Sequence, residues 1–279
     1  MVRHVAEHRF MRSTHFVKLM QRPHDKILRR LGALFHHSYL DRPHAQLEAF
    51  TRGGSAPMVY ALGFKAARLF GAPDSIGWTD KNRDVKRPYI EHELLKADFM
   101  VALECALRAH PTIRLLRAAD IAADVRRASG LKPKHWTMTA TVPPENVEIS
   151  AAPDKVFGLE FSDTGRRNYF FLEVDRSTMP ISRPELDQSS FKKKFLAYHF
   201  GHRAKQHVAL WGIPGFRVLT MTTSAERIAS MIDVVTEITR GKGSNVFLFA
   251  DVASLADADP LTMFWKSGKD GFVRLAPTE

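Results

Sequence analysis

The sequence predicts an α/β chain, α+β overall, in which a small helical module with a hairpin precedes a larger mixed-sheet domain. Three observations predict it. Apolar residues recur at helical spacing through three short early segments and then give way to two strand-like runs. Beyond residue 88, strands alternate with helices, the pattern of a mixed sheet covered on both faces. Charge is uneven as well. Of a net +11, residues 1–75 carry 12 Lys/Arg against 5 Asp/Glu, and residues 76–279 carry 29 against 25.

A basic module on a nearly neutral body points to a polyanionic partner, most simply nucleic acid. The 279 residues suffice for two modest domains, with an apolar fraction of 44% that is ordinary for a globular chain. Cys105 is the single cysteine, which excludes an intrachain disulfide and fits a reducing cytoplasm. Residues 2–10 are interrupted by Arg3, His4, Glu7, His8 and Arg9, so they form no signal peptide. No run reaches the ~18 apolar residues of a membrane span. A cytoplasmic protein without membrane association is expected.

In the early module, residues 2–10 turn Val5 and Phe10 inward. Residues 13–20 can be capped by Ser13 or Thr14 and carry Phe16, Val17, Leu19 and Met20. A third helix opens after Pro23 and runs to about residue 37, with Ile27, Leu28, Leu31, Leu34 and Phe35 as one apolar stripe. Strands at 39–40 and 58–62 flank a polar stretch containing Arg52-Gly53-Gly54-Ser55, and a short helix follows at 64–70.

Three helices and then a hairpin make the winged helix-turn-helix arrangement, assigned here to residues 1–72. In that arrangement the third helix enters the major groove and the hairpin touches the flanking backbone. His24, Lys26, Arg29 and Arg30 occupy the polar face of the third helix and suit phosphate and guanine contacts. Arg42, His44 and Arg52 fall on the wing. Double-stranded DNA is the expected partner. The plainer reading is a winged helix used for protein contacts, with solvated arginines.

Residues 73–88 are rich in Gly, Pro, Asp, Asn and Lys and read as a linker. The second domain is assigned to 89–279. It opens with a long helix at 89–109, in which Cys105 packs as a small hydrophobe. A strand at 113–118, a helix at 120–127 and a strand at 136–142 follow. Strands at 155–162 and 169–174 are separated by a turn at 165–168. Then come a helix at 189–211, a strand at 216–222, a helix at 224–240 and a strand at 246–250. Trp211, Phe264 and Trp265 are assigned to the core.

Asp154 follows Pro153 where one strand begins, Glu173 ends the next, and Asp175 stands two residues on, on the same face. Carboxylates at the ends of adjacent strands can hold Mg²⁺, which prefers oxygen ligands and can activate water against a phosphodiester. On the following helix Phe191, Lys194, Phe195 and Tyr198 form one stripe, making Lys194 the polar member of an inward face. Such a lysine needs a carboxylate partner. A second stripe through Leu196 and Phe200 would favour Lys192 instead.

Pro153-Asp154 followed by Glu173-x-Asp175, on an αβββαβ order, resembles the PD-(D/E)xK nuclease superfamily. More narrowly, Phe171-Leu172-Glu173-Val174-Asp175-Arg176-Ser177-Thr178 with Lys194-x-x-x-Tyr198 is similar to the replication-relaxation family of plasmids and mobile elements. Tyr60-Ala61-Leu62, Gly63 and His92 fit that family too, and the resemblance covers roughly residues 3–235. It implies a winged helix joined to a restriction-endonuclease-like domain, with a role in plasmid replication or DNA relaxation.

The superfamily's lysine normally stands two residues after the acid, where this chain has Asp175; Lys194 is the substitute. The resemblance thus implies Asp154, Glu173, Asp175 and Lys194 as a catalytic set, the three acids being the metal ligands. The competing reading is an internal ion-pair network in a nuclease fold that does not cut. In that case the chain is a transcriptional regulator or replication accessory factor, and its second domain serves dimerisation or DNA grip. Homodimerisation is left open, and an adaptor without DNA affinity is a third class.

Two further signals are set aside. Gly241-Lys242-Gly243-Ser244 lacks the earlier glycine of a phosphate loop and reads as a turn. His199, His202 and His207 lack the spacing of zinc ligands.

Overall fold

The computed structural model describes residues 1–46, 56–71, 81–133, 135–143, 146–183, 188–256 and 258–276. Its contacts divide it into two compact units, Met1–Cys105 and Ala106–Glu279.

The first unit runs α1 (Val2–His8), β1 (Met11–Arg12), α2 (Ser13–Met20), α3 (His24–His36), β2 (Leu40–Asp41), β3 (Val59–Leu62), α4 (Phe64–Leu69) and α5 (Arg87–Ala106). Capping decides where α2 starts, since the His15 Nδ1 accepts the Arg12 backbone N–H at 3.2 Å. α3 opens directly after Pro23, a residue suited to the edge of a helix because its missing N–H has no partner to lose there. β3 is the middle strand of a small antiparallel sheet, pairing Tyr60 with Met11 of β1 and Leu62 with Leu40 of β2. β1, only two residues long, leaves no alternating pattern and was not expected.

Val5, Phe16, Leu19, Ile27, Leu31, Leu40, Tyr60 and Leu62 close the core of this unit, with Cys105 half-buried beside them as expected. At Gly63 the chain passes so close to Ser38 that a Cβ would stand 2.5 Å from its carbonyl oxygen, so only glycine joins β3 to α4 there.

The long helix α5 departs from expectation. Sequence reasoning ends the first domain at 72, places a linker at 73–88 and begins the second domain with this helix. Instead the division falls after Cys105. Val101 belongs to the first unit's core, Ile90 and Leu94 pack with Phe10, Val59 and Ala61, and Asp98 binds Arg12 and, at 2.6 Å, the His15 Nε2. Ile90, Leu94, Ala97, Phe99, Met100, Val101 and Leu103 are all buried. A helix apolar on several sides has no periodicity that names its neighbour.

The second unit contains β4 (Ile113–Arg117), α6 (Ala118–Ser129), β5 (Met138–Val142), β6 (Val147–Ala151), β7 (Lys155–Phe161), β8 (Arg166–Val174), α7 (Phe191–Arg203), α8 (Gln206–Trp211), β9 (Arg217–Thr222), α9 (Ala225–Ile238), β10 (Ser244–Asp251), β11 (Trp265–Gly268) and β12 (Phe272–Val273). Seven strands form one mixed sheet in the order β12-β11-β10-β9-β8-β7-β4. β4, β7 and β8 are antiparallel neighbours, whereas β8, β9 and β10 run parallel, with a helical connection before each new strand.

β5 and β6 pair as a separate hairpin. A Cβ on Gly201 of α7 would collide with the Met138 side chain of β5, so the glycine lets the hairpin sit against the helix. The single helix expected at 189–211 is two, broken where Lys205 adopts a left-handed φ of 55°. Ser190 caps α7 by accepting the Lys193 N–H at 3.2 Å.

The core on this side of the sheet is largely aromatic. Phe171 of β8 stacks on Phe216 at 4.3 Å and touches Tyr198 and Trp211, while Phe195 meets Phe247 and Phe249. Trp211 and Trp265 are buried as expected, but Phe264 is 62% exposed, edge-on to the equally exposed Phe272. Its chain neighbour Trp265 takes the inward position of β11, which turns Phe264 outward.

Candidate functional site

Two groups of side chains are the candidates, one in each unit. In the first unit, α3 buries Ile27 and Leu31 and exposes His24, Lys26, Arg29 and Arg30. All four expected DNA-contacting residues are exposed; Lys26, Arg29 and Arg30 share the side opposite Ile27 and Leu31, whereas His24 stands at the helix start, seven residues before Leu31 and in line with the buried side. Their acidic company is Asp25, 95% exposed, with an oxygen 3.7 Å from His24 Nδ1.

Arg42 is placed differently from the other four. Its guanidinium lies 4.2 Å from the Phe35 ring centroid and donates to the Tyr60 hydroxyl at 3.3 Å. It is a half-buried stacking group beside a cleft that Asp41, His44 and Arg83 help line, rather than a freely extended wing arginine. Arg52 lies outside the described residues.

In the second unit the acids are set by the β7–β8 hairpin. Lys155 pairs with Leu172, which brings Asp154, just before β7, alongside Glu173. The Asp154 Oδ2 accepts the Val174 N–H at 2.8 Å. Phe171, Glu173 and Asp175 share the face of β8 that α7 covers, so Glu173 is wholly buried and Asp175 is 1% exposed. Lys194 donates to the Glu173 Oε2 and Tyr198 to the Oε1, each at 2.5 Å. Lys192 pairs instead with Glu237 at 2.6 Å, so Lys194 is the inward lysine.

Burial pushes the Glu173 carboxyl up, Lys194 opposes the rise and Asp154 adds to it, leaving it raised to about 7. Burial alone would lower Lys194; Glu173, Asp154 and Asp175 outweigh it and hold the ammonium above its ordinary value. Burial and then Glu173 raise the Tyr198 phenol well above its usual range, so it stays a donor.

Asp175 is engaged elsewhere. Arg227 of α9 grips both its oxygens, the Nη2–Oδ1 distance being 3.0 Å, and also donates to the Met179 carbonyl at 2.6 Å. The Thr222 hydroxyl donates to the Oδ2 at 2.6 Å and the Ser177 N–H to the Oδ1 at 2.9 Å. Sequence reasoning named none of Arg227, Thr222 or Tyr198 as a partner. The Lys194-x-x-x-Tyr198 spacing did signal that the tyrosine shares the lysine's face, but nothing local signalled Arg227.

This donor set does not fit a magnesium ion. Mg²⁺ holds several waters in a strict octahedron, whereas the Glu173 oxygens are closed over by an ammonium and a phenol. Both Asp175 oxygens face a guanidinium. Among the described residues, Asp154, Glu173 and Asp175 do not form a group whose ligand atoms lie within 4.8 Å of one another, and neither do His199, His202 and His207. The rings of His202 and His207 stack at 4.9 Å.

The chain is thus a two-unit α/β protein, with a basic helix face in one unit and a buried acid–lysine–tyrosine cluster in the other. It belongs to the replication-relaxation family, whose model matches residues 2–199. That span takes in α3, Asp154, Glu173, Lys194 and Tyr198, and stops short of Thr222 and Arg227. Searches of curated proteins and of solved structures each found no match. Among the described residues no helix is long and apolar enough to cross a membrane.

Proposed function

We propose that this protein binds double-stranded DNA in the replication or relaxation of a mobile element, with a first unit that works as a winged helix and a nuclease-like second unit that does not cut. The observation that carries the reading is the outer face of α3, where Lys26, Arg29 and Arg30 stand exposed, with His24 exposed at the helix start, in a member of the replication-relaxation family. The order of three helices and then the β2–β3 hairpin supports it, because this order directs a third helix into a major groove.

The β4-β7-β8 meander followed by a helix and the parallel strand β9 supports the nuclease-like assignment. The non-cutting part rests on Glu173 and Asp175, whose oxygens are already satisfied by Lys194, Tyr198, Arg227 and Thr222. Such a set works as an internal network that orients α7 and α9 on the sheet. The second reading, a metal-dependent nuclease, draws on the placement of Lys194 against Glu173 with Asp154 beside them.

Supercoiled plasmid incubated with the protein and Mg²⁺ or Mn²⁺ separates the two. A retarded band with the plasmid intact is expected. Nicked or linear plasmid that disappears with Asp154→Asn and Glu173→Gln would replace this reading with the nuclease.

A further inference from the structure

We propose that His4, His8 and Glu104 form a zinc site that pins α1 to α5 in the first unit. The inference is independent of DNA binding and of the acids in the second unit. His4 and His8 stand four residues apart on α1, one turn of the same helix face. Glu104 comes from the last turn of α5.

One ligand atom from each residue lies within 4.8 Å of the other two, and this is the group of that kind among the described residues. The His8 Nε2 is 3.4 Å from one Glu104 oxygen and the His4 Nδ1 is 3.9 Å from the other. A tetrahedral zinc with bonds near 2.0–2.2 Å holds its donors about 3.3–3.6 Å apart. The His8–Glu104 separation already matches; the remaining ligand atoms, all within 4.8 Å of one another, must close in to reach it.

An independent feature points to a ligand. His8 is 2% exposed, and neither of its ring nitrogens has a hydrogen-bond partner. A buried imidazole without a hydrogen bond is costly: the Nε2 has only the Glu104 oxygen at 3.4 Å beside it, outside hydrogen-bond geometry, and the Nδ1 has no hydrogen-bond partner. A metal ion gives the Nε2 a partner. The His4 side chain is 27% exposed, so the ion has a route in from that side. Two imidazoles and one carboxylate suit a borderline cation such as Zn²⁺ better than Mg²⁺ or Ca²⁺, with water as the fourth ligand.

The test uses the untagged full chain. Co²⁺ as a zinc substitute should give the intense visible absorption of a tetrahedral site at one equivalent. One equivalent of Zn²⁺ should displace it and raise the melting temperature by several degrees. His4→Ala alters the more exposed ligand and tests the site without emptying the core; Glu104→Gln tests the carboxylate. Each should weaken binding by more than about a hundredfold, since even groups behind metal ligands are worth roughly 10–100-fold. Absence of cobalt absorption and of a Zn²⁺-dependent thermal shift overturns the proposal. So does equal binding by wild type and both variants, which would locate the metal on other histidines.

Discussion

Arg227→Met should destabilise the second unit by about 3–5 kcal/mol, the cost of breaking a buried ion pair on one side only. Asp175 is 1% exposed, and Arg227 is the cation that grips both its oxygens. Methionine fills much of the same volume but leaves the carboxylate with Thr222 and the Ser177 N–H alone. For a unit of this size the loss corresponds to roughly 10 °C in melting temperature. Arg227→Met combined with Asp175→Asn should recover a large part of it, because the amide needs no cation. Thermal unfolding of the two variants checks this. Equal melting temperatures for wild type and Arg227→Met would mean that the pair does not hold α9 to the strand ends.

The second large effect concerns Lys194→Met, and it depends on pH. In the wild type the Glu173 carboxyl is raised from the ordinary 4.5 to about 7. A folded-state value above the unfolded one means that the native protein binds the proton more tightly. Stability contributed by this group is therefore fully present below about 4.5 and is lost as pH rises towards 7. The full span is bounded at about 3 kcal/mol. Removing the Lys194 ammonium pushes the carboxyl higher still, so the decline should continue above pH 7. At pH 8 the variant should fall below wild type by about 3–5 kcal/mol and approach it again near pH 5. Glu173→Gln should lack this component of the pH dependence. Denaturant unfolding across pH 5–8.5 reads all three proteins, and parallel curves for wild type and Lys194→Met would exclude Glu173 as the titrating group.

These two clusters differ in how far the sequence announces them. Glu173 was legible as an acid closing a strand whose last five residues are all buried, two residues after Phe171 on the same face. Lys194 was legible because it shares a helical stripe with Phe191, Phe195 and Tyr198. Asp175 was legible as an inward acid but not as the partner of Arg227, which lies 52 residues further on in α9. No local pattern encodes such a pairing, and the same holds for Glu104 with His4 and His8.

Elements followed the same rule. α2 and α3 were read to within a residue or so, because an apolar stripe fills each body and a proline marks the start of α3; the cap of α2 expected at Ser13 or Thr14 falls instead at Arg12, with His15 as its partner. β1 and β12, at two residues each, are too short to alternate. The break between α7 and α8 was missed because apolar residues continue on both sides of Lys205. α5 was found but given to the wrong unit, since its buried residues surround it.

The account turns on whether the exposed face of α3 is what holds DNA. Binding of a duplex of mixed sequence should be measured against salt concentration for wild type and for an Arg29→Ala/Arg30→Ala variant, whose changes lie on a solvent-exposed face. Wild type should bind with log K falling linearly against log salt, and the double variant should bind more weakly with a slope shallower by about 2, one unit for each lost phosphate contact. Equal affinity and equal slope for the two proteins, or no salt-dependent binding by either, would contradict it.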